Sequence, residues 1–177
     1  MTRMRAVLPA VIALGANQGD REATLRQAVR DIAALDGVTV TAASGLFASS
    51  ALKLTGIDES APRYLNAVIL VDSALGPEEL LLKLHEIEAE HGRIREEVWG
   101  DRTLDLDIVS FASMTRQTET ITLPHPRAFE RAFVLAPWLQ VEPDAVIPGR
   151  GRIADLLAAT SDTAELIQAP PLLENAR

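Results

Sequence analysis

Two helical stripes of apolar residues, each bracketed by strand-like runs, constrain this chain's fold more than any other feature. Leu25, Ala28, Val29, Ile32 and Leu35 recur at helical spacing. Asp20 precedes them as a side chain suited to accept the first free N–H groups, and Gly37 follows as a stop. Leu80, Leu81, Leu84 and Ile87 form the second stripe, opened by Gly76-Pro77-Glu78-Glu79 and closed by Gly92. Residues 7–14, 38–47, 64–71 and 103–111 read as strands from their β-branched or alternating content. The order β-α-β-β-α-β predicts an α+β domain: a ferredoxin-like antiparallel sheet with two helices on one face. A hairpin arm over 112–123 and helices over 127–139 and 151–159 extend it. The expectation is a single domain over 1–160 and a loose C-terminal tail over 161–177, which ends in APPLLENAR.

At 177 residues the chain is long enough to bury a core, and 47% of its residues are apolar. Its net charge of −8 argues against non-specific nucleic-acid binding, which needs a basic face. An anionic ligand would have to be held by local arginines or a metal. The absence of cysteine excludes disulfides and thiolate metal sites and is compatible with a reducing cytoplasm. The N-terminal arginines and apolar run resemble a short signal peptide, but Pro9 interrupts the run and a first strand ending at Gly15 is the favoured reading. No stretch reaches the ~20 apolar residues that span a bilayer. The expectation is a cytoplasmic monomer with small-molecule partners and neither nucleic-acid nor membrane contacts.

The fourth strand carries the chemistry. In RTLDLDIVSF, Leu104, Leu106 and Ile108 face one side, and Thr103, Asp105 and Asp107 the other. Carboxylates two residues apart repel, and burial sharpens the repulsion. A shared proton, nearby arginines or a divalent metal could each offset it. A shared proton suggests acid–base work; hard oxygen ligands suit Mg²⁺ with substrate phosphates, or a pair of ions. A bare D-x-D equally fits an exposed sheet face with two solvated acids. Arg93, Arg95 and Arg102, with Trp99 among them, lie within ten residues, and Arg127 and Arg131 follow His125. Guanidinium forks match phosphate oxygens, so arginines beside a metal site point to phosphoryl transfer. Some of these arginines also fit surface pairing with Glu96, Glu97 and Asp101. There is no P-loop motif.

The stretch GRIREEVWGDRTLDLDIV (92–109) resembles the signature of the 6-hydroxymethyl-7,8-dihydropterin pyrophosphokinase family of folate biosynthesis. ALGANQGDR (13–21), YLNAV (64–68) and LPHPRAFERAFVLAPW (123–138) resemble it too, in the same order, so the likeness runs from about residue 10 to 160. The resemblance implies transfer of the terminal pyrophosphate of Mg-ATP to the pterin hydroxymethyl group, with release of AMP. It implies that Asp105 and Asp107 bind two Mg²⁺ ions and that Arg93 and Arg102 serve the transferring group. It places Arg95, Trp99, Thr122, His125 and Arg131 at ATP. It places Asn17, Tyr64, Asn66, Trp99 and Phe133 at the pterin, where Asn66 offers a donor and an acceptor on one amide. Glu88 matches an acidic position that orients an arginine, though it also reads as a solvated helix residue. Glycines 92 and 100 bracket a segment expected, with the 48–63 loop, to close over ATP.

The chain departs from the family pattern at several places. Val98 stands where a basic residue is frequent, and Asp101 where proline is common. Phe47 and Ser49-Ser50 replace a tyrosine and a threonine-proline pair. Pro126 follows the histidine in place of a tyrosine, and Thr120 takes an often basic hairpin position. These changes bear on adenine and triphosphate contacts, not on the acid pair. Two other classes fit the βαββαβ order. Palm-type polymerases and nucleotide cyclases draw their acids from different strands, and a template-binding member should be more basic. A non-catalytic binding module does not need this cluster of arginines and acids, and an RNA-reading one needs more than the 4% aromatics present.

Overall fold

The computed structural model of the chain describes residues 6–17, 20–49, 52–53, 56–57, 64–93 and 104–173. The elements run β1 (Leu8–Ala16), α1 (Arg21–Ala33), β2 (Val38–Ala43), β3 (Leu46–Ser49), β4 (Leu52–Lys53), β5 (Gly56–Ile57), β6 (Tyr64–Ser73), α2 (Pro77–Arg93) and β7 (Asp105–Phe111). They continue with β8 (Arg116–Gln117), β9 (Thr122–Leu123), a 3₁₀ turn (Ala128–Glu130), α3 (Ala132–Val141), β10 (Val146–Ile147), β11 (Gly151–Arg152), α4 (Ile153–Ala159) and β12 (Glu165–Ile167). The main sheet has the order β12-β3-β6-β1-β7, with β2 also paired to β6, and its pairings are antiparallel. This is the expected α+β, ferredoxin-like arrangement.

The two stripes do what their spacing predicts. Asp20 accepts the Ala23 N–H at 3.1 Å, and Leu25, Ala28, Val29 and Ile32 of α1 are buried. Leu80, Leu84 and Ile87 of α2 join them against Ile12, Leu14, Ile69, Leu106 and Ile108 of the sheet. Alternation along each strand sends the intervening residues to the opposite face. There Val11, Val68 and Val109 pack with Val134, Leu135 and Trp138 of α3 and Ile153 of α4. The sheet is thus covered on both faces, by α1 and α2 on one and by α3 and α4 on the other.

Several boundaries differ from the reading of the sequence. The single strand expected over 38–47 is two strands, because Ser44 breaks the ladder with its own hydroxyl. Ser44 Oγ accepts the Val68 N–H at 2.9 Å, while the Ser44 N–H donates to the Val68 carbonyl at 2.9 Å. The Gly45 N–H turns away to Gln140 Oε1 at 2.6 Å. Helix α2 runs through Gly92 to Arg93, so that glycine is not its stop. The helix expected over 127–139 is a 3₁₀ turn and a separate α-helix, parted by an extended Arg131 (φ −102°, ψ 108°). The helix expected from 151 begins at Ile153.

The tail expected to be loose is tied down over most of its described length. Strand β12 pairs with β3, Arg26 donates to the carbonyls of Pro170 and Pro171 at 2.6 and 2.8 Å, and Leu172 is buried in the core under α1 and α2. Backbone pairing and one apolar anchor are enough to order a segment whose composition alone reads as loop.

Candidate active site

The site grows from the register of three strands. Gly15 of β1 pairs with Asn66 of β6 on one side and Asp105 of β7 on the other. One step along, Ala13 pairs with Val68 and Asp107. These residues share the face that α3 covers. Two carboxylates therefore stand side by side on the edge strand, with Asn66 two strands away and only small residues between. The floor is open because its central positions carry at most a methyl group. A Cβ on Gly15 would lie 3.2 Å from Asn66 Oδ1, a crowding that glycine avoids.

Above this floor is a cleft of about 220 Å³ lined by Asp105, Asp107, Tyr64, Asn66, His125, Arg131 and Phe133, with Ser49 at its β3 side. Seven of the residues expected at the site are thus gathered in one place. An eighth, Asn17, is 5% exposed and reaches the cleft through Tyr64: its Nδ2 donates to Tyr64 Oη at 3.1 Å. The Asn66 Nδ2 donates to Ser49 Oγ at 2.7 Å, which fixes the amide's orientation. Ser49 was noted in the sequence only as a departure from the family pattern, and nothing local to it announces a bond to a residue 17 positions away.

The carboxylates are not sealed in the interior. Asp105 is half-buried and Asp107 exposed, since their side of β7 opens into the cleft and only the leucine side meets the core. Glu88 of α2 accepts the Leu106 N–H at 3.0 Å, between the two acids. Because β7 is an edge strand, this carboxylate satisfies an outward N–H and ties the acid-bearing strand to α2.

His125 and Arg131 face the acids from the segment between β9 and α3. The His125 N–H donates to the Val109 carbonyl at 2.9 Å, and its Nδ1 accepts the Arg127 N–H at 3.2 Å. With Nδ1 accepting, the neutral ring carries its proton on Nε2. Burial lowers the His125 pKa. Asp107 works against this, and the cations Arg131 and Arg127 reinforce it. Arg131 is likewise pulled down, first by burial and then by Arg127, while Asp107, Glu130 and Asp162 oppose the shift. It remains a cation, 5.4 Å from the centroid of the Phe133 ring.

Thr122 is not in this cleft. It is exposed on β9 and borders a separate, shallow groove between the β8–β9 hairpin and the 147–150 turn, which His125 also touches. Arg93 is the last residue of α2, and its side chain lies outside the described part, as do Arg95, Trp99 and Arg102. The segments expected to close over a ligand likewise fall largely outside the described residues. Among the described residues no cluster of three or more His, Asp or Glu could by itself hold a metal ion. Two hard carboxylates facing a polar cleft do suit Mg²⁺, which takes one or two carboxylates and fills its shell with water and substrate phosphates.

Comparison with known proteins covers the same stretch of the chain. A family model described as 7,8-dihydro-6-hydroxymethylpterin-pyrophosphokinase matches residues 11–143. A Bacillus subtilis 2-amino-4-hydroxy-6-hydroxymethyldihydropteridine pyrophosphokinase is 44% identical over 132 residues, covering 75% of this chain and 77% of the relative. Its namesake from Haemophilus influenzae is 34% identical over 156 residues, covering 88% and 95%. A crystal structure of Plasmodium falciparum HPPK-DHPS with pterin and p-hydroxybenzoate superposes with a TM-score of 0.66 at 12% identity, over 89% of this chain. That likeness shows the fold alone, and this chain spans 44% of the Plasmodium one.

Proposed function

Because the chain belongs to the 7,8-dihydro-6-hydroxymethylpterin-pyrophosphokinase family, we propose that its cleft carries out that family's reaction. The pterin hydroxymethyl oxygen attacks the β-phosphorus of ATP, the bond to the α,β-bridging oxygen breaks, and AMP leaves. The observation that carries this reading is the row Asn66–Gly15–Asp105, which sets an oriented amide and a carboxylate pair on one open floor.

The flat pterin fits between the Tyr64 and Phe133 side of the cleft, its edge read by Asn66 and by Asn17. Ser49 holds the Asn66 amide so that its oxygen side is presented to the ligand. Asp105 and Asp107 would hold two Mg²⁺ ions, which when bound would offset the negative charge of the triphosphate. His125 donates from Nε2, and Arg131 supplies a desolvated positive charge on the same side. Both favour a phosphate oxygen, and both interact with Asp107. Arg95, Trp99 and Thr122 complete the nucleotide contacts. Arg93 and Arg102 stabilise charge on the transferring group. We place the protein in the cytoplasm as a monomer. Among the described residues no helix is long and apolar enough to cross a membrane.

The test is product identity. Incubated with Mg-ATP and 6-hydroxymethyl-7,8-dihydropterin, the protein is expected to release AMP in step with pyrophosphorylated pterin. ADP as the product, or no nucleotide turnover, would overturn the reading.

A further inference from the structure

Helix α3 begins in an unusual way. The residue at its N-cap is Arg131, whose side chain makes no capping bond. A serine, threonine or aspartate is the ordinary choice there, because its oxygen accepts the first free N–H groups. An arginine has no acceptor. Its positive charge also sits beside the positive end of the helix dipole, an unfavourable placement. Both problems are met from 30 residues further along the chain. Asp162 Oδ2 accepts the Ala132 N–H at 2.9 Å. The carboxylate also brings a negative charge to the positive end of the helix dipole, beside Arg131.

Asp162 is itself held. Thr160 Oγ1 donates to the Glu130 carbonyl at 2.9 Å and accepts the Asp162 N–H at 3.2 Å. Three residues on, β12 is stitched to β3, whose Phe47 pairs with Asn66 of the cleft floor. The segment 160–167 is therefore a strap from the Arg131 wall to the far edge of the sheet.

We propose that Asp162 is a positioning residue for the nucleotide: by capping α3 from outside the helix, it lets position 131 carry an arginine whose side chain faces the cleft. This rests on the functional reading given above, in which Arg131 binds ATP phosphate. A merely structural cap would affect helix stability and leave the Arg131–phosphate interaction untouched.

The test is binding of α,β-methylene-ATP with Mg²⁺, measured by calorimetry on the wild type, D162A, D162N, R131A and the D162A/R131A double variant. Thermal melts confirm that each variant is folded. D162A is expected to weaken binding about tenfold, the scale of one charge-assisted hydrogen bond. D162N keeps an acceptor without the charge and should fall between D162A and the wild type. The double variant should bind no more weakly than R131A, because Asp162 acts through Arg131. If D162A does not fold, D162N and a D162N/R131A pair carry the same comparison. Wild-type affinity in D162A or D162N, or independent losses that multiply in the double variant, would overturn the proposal. A wild-type protein that binds no nucleotide would instead overturn the functional reading on which the proposal stands.

Discussion

Gly15 is the direct antiparallel partner of Asp105, and on its other side it is the partner of Asn66. Three adjacent strands thus bring an amide suited to a heterocycle and a carboxylate suited to a metal within reach of one bound ligand pair. The distance between them is set by strand spacing, about 4.8 Å per strand, and not by flexible loops.

Gly15→Val fills the floor. Its Cβ would press on Asn66 Oδ1, so the pterin should lose its seat while the nucleotide keeps its own. The expected outcome is a rise of roughly tenfold or more in KM for the pterin with a smaller change for ATP, the order of effect of losing one or two oriented contacts. Initial-rate kinetics with each substrate varied in turn would show it. Equal losses for both substrates would contradict this division of the floor.

Ser49→Ala removes the acceptor that orients the Asn66 amide. One neutral hydrogen bond is worth about 1 kcal/mol, which corresponds to a rise of roughly fivefold in KM for the pterin. Asn66→Ala removes the amide itself and should cost more. If Ser49→Ala and Asn66→Ala together lose no more than Asn66→Ala alone, Ser49 acts through Asn66.

Glu88→Gln and Glu88→Ala separate the two things Glu88 does for β7. The glutamine keeps an oxygen for the Leu106 N–H, and the alanine leaves that edge N–H without it. The alanine variant should lose about 1–2 kcal/mol of stability in urea unfolding, and the glutamine variant less. Equal losses would mean that the charge, not the acceptor, holds the strand.

The lowered pKa of His125 gives a pH dependence of definite sign. The unfolded imidazole takes up a proton as pH falls through its ordinary value near 6.5, while the folded one stays neutral to a lower pH. The unfolded state then binds more protons, so stability falls as pH drops from about 7 through that window. His125→Asn should flatten this part of the stability–pH curve, read from urea midpoints between pH 7.5 and 5. An unchanged slope in the variant would contradict the assignment.

The architecture was legible wherever a pattern is local. The stripes Leu25–Ala28–Val29–Ile32 and Leu80–Leu84–Ile87 named their buried faces in advance. The parity of Leu104, Leu106 and Ile108 told which side of β7 the acids would take. What could not be read depends on partners far along the chain. The break at Ser44–Gly45 is made by Val68 and Gln140, and the one at Arg131 by Asp162. The ordering of the tail comes from β3 and Arg26. In each case a side chain or an edge strand replaces a local hydrogen bond, and no window of the sequence contains both partners. The same holds for the cleft: Asn66, Asp105 and Phe133, which line it, stand in sequence motifs, whereas the bonds of Ser49 to Asn66 and of Asp162 to Ala132 join residues that no local window contains.

The most direct measurement of the central claim is the proximity of pterin and metal in one cleft. Mn²⁺ can replace Mg²⁺ in a complex with α,β-methylene-ATP and 6-hydroxymethylpterin, and it speeds the NMR relaxation of nearby protons. The hydroxymethyl protons should relax fastest among the pterin protons in the wild type, and the effect should vanish in Asp105→Asn/Asp107→Asn while the pterin still binds. Relaxation that is unaffected by Mn²⁺ in the wild type, or that persists in the double variant, would contradict the account.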